Sequence, residues 1–289
     1  TVAAGGKVSN AFGSIGDQVN SEGKVTVTGE NSIWENTETL FVGSKGEGTL
    51  TIKDHGKVVT GAGAAIGFGA DSNGKLTVAG EGSSWDISLG LAVGMGGDGT
   101  LIISGGGKVS NELSAFIGHD VDSKGEATVT GPGSIWENAD ALHVGREGEG
   151  ALTIAEGGKV SNVIGYIGSL AGSKGDATVT GAGSIWENAA ALYVGGEGEG
   201  TLTIDSGGKV VTGAGAVIGY GANSNGKATV AGEGSSWVNG GDLGDLLVGF
   251  EGAGKLIIAG GGGVSNVTGY IGYASGSTGV VTVSGPGST

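Results

Sequence analysis

Short alternating runs, not helical stripes, organise this chain. In Thr49-Leu50-Thr51-Ile52 the apolar residues fall on one face of an extended strand and the threonines on the other. Comparable runs end at Val27, Ile52, Val78, Ile103, Val129, Ile154, Val179, Ile204, Val230, Ile258 and Val283. Ahead of each stands a β-branched residue followed by Gly, from Ile15 and Val42 through to Val248 and Ile271. After each run but the last, a third apolar position alternates between Trp and Val: Trp34, Val58, Trp85, Val109, Trp136, Val160, Trp186, Val210, Trp237, Val264.

The order of these three positions never changes, and the spacing barely does. Cycles carrying Trp run 12 residues from first to second position and 7 to the third, whereas cycles carrying Val run 10 and then 6. The five tryptophans are separated by 51, 51, 50 and 51 residues, so the underlying unit is a pair of cycles. A strand of three to five residues buries one face only, and one cycle cannot enclose a core. Stacking each cycle on its equivalents buries every inward Ile, Leu and Val against the same position in the next. The pattern therefore predicts an all-β fold, a parallel β-helix (solenoid) of about eleven coils of 24–27 residues. Residues 1–289 read as a single β-helix built from these ~51-residue repeats.

Composition sharpens this picture. Of 289 residues 69 are Gly and 2 are Pro, without the every-third-residue Gly of collagen. With 37% hydrophobic residues at fixed intervals, a disordered linker is also excluded. Gly at predicted corners, as in Gly46, Gly48, Gly56, Gly74 and Gly82, is expected to supply positive φ for tight turns. Fourteen basic against 29 acidic residues give a net charge of −15, a surface that repels nucleic acid and anionic lipid. Cysteine is absent, as suits a chain that crosses membranes unfolded. No apolar stretch approaches the length of a membrane span, and the first residues do not form a signal-peptide pattern. The first and last residues fall inside coils without polar caps, so the expectation is a fragment of a longer array.

At the level of the motif, Leu192 to Val210 (LxVGxxGxGTLTIxxGGKV), followed by IGxxxxSxGxATVTGxGSxW, resembles the passenger-domain repeats of bacterial autotransporters, the type V secretion route. The similarity covers essentially the whole chain. It implies a right-handed β-helix displayed at the cell surface, exported through the periplasm and outer membrane. It also implies an adhesin-like role, with host-cell or matrix receptors, glycans or self-association as partners. Nothing here resembles a passenger protease or lipase module, so the resemblance implies display and adhesion, not catalysis.

Repeated residues serve architecture, so chemistry is to be sought in local exceptions. Glu35, Asp86, Glu137 and Glu187 follow the tryptophans and could suggest paired carboxylates, but four copies of one position predict a solvated edge. Gly61 to Gly67 has the look of a phosphate-binding glycine run, yet no helix pattern follows it. Gly94-Met95-Gly96-Gly97-Asp98-Gly99 lacks the Asp-per-turn regularity of calcium-binding repeats. His55, His119 and His143 occupy three different coil positions, which predicts single exposed side chains and no metal set. The outward threonines face an irregular, charged neighbouring column, which argues against an ice-binding surface. The tryptophans alternate with Val and so read as core, not as a sugar-stacking ladder.

One irregularity stands out: the return from Trp237 to Val248 takes 11 residues where 7 or 8 is the rule. Insertions in solenoids map to loops that often carry binding, which makes Asn239, Gly240, Gly241, Asp242 and Asp245 the candidate contact loop. The expected function is an adhesive or structural passenger segment without catalytic residues, metal or cofactor. A polysaccharide-binding or polysaccharide-cleaving β-helix and a passive spacer presenting a distal module are the alternatives.

Overall fold

A computed structural model describes residues 1–241 and 244–289. Its regular structure consists of thirty-three strands arranged as three parallel sheets of eleven strands each. Within each sheet every strand pairs with the one three places later in the chain, so each turn of the chain adds one strand to each sheet. Eleven coils at the usual strand separation make a rod roughly 50 Å long. The predicted β-solenoid and its coil count hold.

The three recurring apolar positions are the inward residues of the three sheets. The tryptophan sheet contains Ile33–Asn36 and Ile185–Asn188, the threonine sheet Glu47–Lys53 and Glu199–Asp205, and the third sheet Leu40–Val42 and Ala191–Val194. Register is exact along the rod: Trp34 opposes Val58, and Val58 opposes Trp85. Trp85, Trp136, Trp186 and Trp237 have no exposed surface, and the inward Leu, Ile and Val residues around them form one continuous core. Alternating a large indole with a small Val gives each ring room in a coil stack whose spacing is fixed by the backbone.

The serine of the GSxW motif also has a structural task. Ser134 is fully buried, donates to the Thr130 carbonyl at 2.7 Å and accepts from the Gly106 amide of the preceding coil at 3.1 Å. Ser184 repeats the arrangement with Thr180 and Gly157. A buried corner amide is thereby satisfied once per Trp-bearing coil.

The glycines act differently from the expectation. Of the five corner residues singled out, only Gly82 has positive φ (+76°). Gly48 and Gly74 lie inside strands, and a Cβ on Gly48 would sit 2.0 Å from the Gly43 amide nitrogen. Gly43 supplies the turn instead, at φ +73°. The sheet glycines are there because two backbone segments approach too closely for a side chain.

Candidate functional site

Where the inward faces share one core, the outward faces differ sharply. The threonine sheet presents Lys24, Thr49, Lys75, Thr100 and Glu126 in register, and the tryptophan sheet presents Glu35, Val59, Asp86 and Ser110. The third sheet presents Ser14, Phe41, Ala65, Ala92, Phe116, His143, Tyr166, Tyr193, Val217, Leu247 and Tyr270. None of these eleven is an Asp, Glu, Lys or Arg, although the chain carries −15. Beside this column runs the residue that follows each turn glycine, including Phe68, Met95, His119, Arg146, Tyr220, Phe250 and Tyr273.

The two columns together build an aromatic ladder. Phe116, His143, Tyr166 and Tyr193 stack in sequence, with ring centroids 5.1, 4.7 and 5.0 Å apart and planes within 22°. The step from Tyr193 to Tyr220 turns edge-to-face (79°), and a second stack continues through Phe250 to Tyr273 at 5.4 and 5.2 Å. Stacked and edge-to-face pairs of this kind each contribute about 0.5–1.5 kcal/mol beyond area burial. Parallel register imposes the spacing, because successive rungs sit one strand apart.

Two recesses interrupt the ladder. The first, of 340 Å³, is apolar: Ala65, Ala92 and Met95 stand where rings would continue, between Phe41 and Phe68 on one side and Phe116 on the other. The second, of 380 Å³, lies between the Tyr166 and Tyr193 rings and the neighbouring column, where Ser169 and Gly196 are small. Arg146 and Tyr220 stand at its two ends along the rod, and Glu197 borders it.

Around the second recess the two columns carry an arginine and two histidines, Arg146, His119 and His143. Arg146 is the only arginine in the chain. Its Nη1 donates to Glu147 Oε1 at 2.7 Å, lies 3.5 Å from His119 Nε2, and its guanidinium sits 5.6 Å from the Phe116 ring centre. His119 Nδ1 is 2.5 Å from Asp120 Oδ1. His143 Nδ1 is 2.9 Å from the Ser169 hydroxyl. Burial, helped by the Arg146 charge, lowers the His143 pKa to about 4, so the stacked imidazole is neutral at pH 7. Burial also raises the Tyr166 and Tyr193 phenols above their ordinary value.

His143 is thus no isolated exposed side chain, contrary to the expectation from the sequence; it is a rung, and His119 packs edge-on to Phe116 at 4.7 Å. His55 alone is exposed and apart. The Ser169–His143 pair does not make a hydrolytic triad: Ser169 is buried, and the nearby Asp140 carboxylate accepts from Ser114 instead of orienting the imidazole. Among the described residues no group of three or more His, Asp or Glu side chains is placed to hold a metal ion.

The other sequence candidates fall as follows. Glu35, Asp86, Glu137 and Glu187 are exposed, in a column interrupted by Ser and Val. Gly61 to Gly67 leads into a strand of the aromatic sheet, Ala64–Ile66. Of the candidate loop, Asn239 closes its strand with an inward, buried side chain that accepts from the Thr212 hydroxyl. Gly240 is half-buried, Gly241 is exposed, and Asp245 opens the next strand of the aromatic sheet, half-buried. Asp242 lies outside the described residues.

No family model matches the chain. Its repeats are similar to those of the adhesin BmaC autotransporter of Brucella suis biovar 1 (strain 1330), 38% identical over 101 residues, 33% of this chain and 3% of that protein. The uncharacterized lipoprotein YdeK of Escherichia coli (strain K12) is 32% identical over 159 residues, 52% of this chain and 12% of its own length. The chain spans a small part of both relatives. A solved structure of a TibC-catalysed hyper-glycosylated TibA fragment aligns over 99% of this chain and 97% of that one, at 17% identity and a TM-score of 0.33.

Proposed function

We propose that this segment is an adhesive stretch of a surface-displayed, exported passenger, and that it makes contact through the outward face of its aromatic sheet. The observation that carries the reading is the chemistry of that face: eleven successive outward positions without an Asp, Glu, Lys or Arg, on a rod of net charge −15. An extended, uncharged aromatic face on a strongly acidic rod has the chemistry of a contact surface. Similarity to an autotransporter adhesin supports the same reading. Many equivalent rungs add by avidity, so a strong attachment needs no single tight site.

Asn239 ends a strand of the tryptophan sheet and Asp245 opens one of the aromatic sheet, so the described ends of the loop after Trp237 reach this face. Gly240, Gly241, Asp242 and Asp245 are proposed as an accessory contact, whereas the buried Asn239 supports the loop from within. The test is attachment of protein-coated beads to epithelial cells and to matrix proteins. Val217→Glu and Leu247→Glu, which charge the aromatic face, are expected to reduce attachment, and Thr203→Glu on the threonine sheet to leave it unchanged. Equal attachment by all three variants would remove the face from the adhesive role.

A further inference from the structure

The 380 Å³ recess differs from the rest of the aromatic face in that hydrogen-bonding groups converge on it. Arg146 and Tyr220 are three coils apart, roughly 14 Å at the ordinary strand spacing. Between them the floor is Ser169 and Gly196, whose small size opens a trough along the rod. One wall is formed by Tyr166 and Tyr193, and Glu197 stands exposed at the rim. The trough thus combines ring surface, phenol hydroxyls, a guanidinium fork, a carboxylate and a serine hydroxyl. Tyr220 is 42% exposed and offers ring area to a ligand.

Three ligand classes can be weighed against this lining. An anion meets one guanidinium already held by Glu147 at 2.7 Å, a second carboxylate at Glu197, and a rod of net charge −15. An apolar side chain would fill the volume but offer no hydrogen-bond partner to the Glu197 carboxylate and the phenols that border it, which costs affinity. Such a side chain fits the other recess, with its floor of Ala65, Ala92 and Met95. A sugar ring carries an apolar face of C–H groups and a rim of hydroxyls, each able to donate and accept. That combination matches aromatic surface bordered by both donors and acceptors.

We infer that the trough between Arg146 and Tyr220 is a binding site for an uncharged oligosaccharide lying along the rod. This rests on the adhesive reading and names a ligand class for one part of that face. Ring surface at Tyr220 and the rims of Tyr166 and Tyr193 take the apolar faces of the sugar. Arg146 donates to hydroxyl or ring oxygens, and Glu197 accepts from hydroxyls.

Calorimetric titration of the whole protein tests the inference, with cellotetraose, chitotetraose, maltotetraose and lacto-N-tetraose as probes and a heparin tetrasaccharide as the anionic comparison. At least one uncharged probe is expected to bind, and the heparin fragment is not. Tyr220→Ala and Arg146→Ala are each expected to weaken binding by roughly tenfold or more, with circular dichroism unchanged. Arg146→Ala is the second arm because Tyr220 also packs on Phe250. Lys75→Ala, on the threonine sheet, is expected to bind as the parent does. Preference for heparin, or undiminished binding by both trough variants, would overturn the site. Cell attachment by a protein that binds no uncharged probe would also overturn it, while the adhesive reading stood. Failure of attachment and of saccharide binding together would remove both.

Discussion

The indole Nε1 of Trp186 donates to Asn162 Oδ1 in the preceding coil at 2.7 Å, with both side chains buried. The same pairing joins Trp136 to Asn111 at 3.1 Å and Trp34 to Asn10 at 2.6 Å, and Thr60 takes the acceptor's place beneath Trp85. An interior otherwise filled with aliphatic side chains thus carries a polar seam that fixes each ring's orientation. A slip of one residue along any strand would bury the wrong face and strand these donors.

Asn162 also donates to Asn188 Oδ1 at 2.7 Å. Asn162→Ala removes both bonds and leaves a buried indole N–H and a buried amide oxygen without partners. The expected loss is about 1–3 kcal/mol of stability, the usual cost of an orphaned buried polar group. A urea midpoint within error of the parent would show that the seam is incidental.

Trp237 is the exception that allows the opposite experiment. Its Nε1 has no partner, and the Thr212 hydroxyl beneath it donates to Asn239. Thr212→Asn places at this rung the acceptor that serves Trp136 and Trp186. It is expected to raise stability by about 1 kcal/mol, read as a higher urea midpoint and melting temperature. A lower midpoint would mean that the rung cannot accept the amide.

The in-strand glycines make a harsher prediction. A Cβ on Gly200 would lie 2.1 Å from the Gly195 backbone nitrogen, and backbone cannot yield as a flexible side chain can. Gly200→Ala is expected to cost about 3 kcal/mol or more, as severe overpacking does. Gly172→Ala is the milder comparison, because nothing lies within 4 Å of its Cβ position and only its positive φ opposes the change. Similar losses for the two would refute close backbone approach as the reason for the glycine column.

Much of this was legible in the sequence because a solenoid is close to one-dimensional. Ile15, Val27 and Trp34 name the three sheets of a coil, and every later coil repeats them. The burial of the tryptophans followed from their alternation with Val. The aromatic face is not legible in the motif, because its residues occupy positions that the motif leaves free. Phe116 and His143 become neighbours only through strand register, and Tyr193 meets Tyr220 only by crossing to the adjacent column. The histidines looked unrelated for the same reason: His119 and His143 differ in column but flank one ring, Phe116. Reading the free position of each LxVGx stretch as its own column would have exposed Phe41, His143 and Tyr193. The single arginine was the other available signal.

His143 gives the ladder a pH dependence whose sign can be worked out. Packed between Phe116 and Tyr166, its pKa falls from 6.5 to about 4, first by burial and then by the Arg146 charge, against an opposing pull from Asp140. The unfolded chain therefore takes up a proton below pH 6.5 that the folded chain refuses until about pH 4. Stability from this residue is intact above pH 6.5 and is lost as pH falls through that window, by at most about 3 kcal/mol. His143→Phe keeps a ring on the rung and removes the titration, while Arg146, Asp140 and His119 remain in both proteins. Urea midpoints of parent and variant at pH 7, 5 and 4 should diverge toward acid, with the variant falling less. Parallel pH profiles would mean that the imidazole is solvated and charged at low pH in the folded state, and that the stack at His143 opens to admit water.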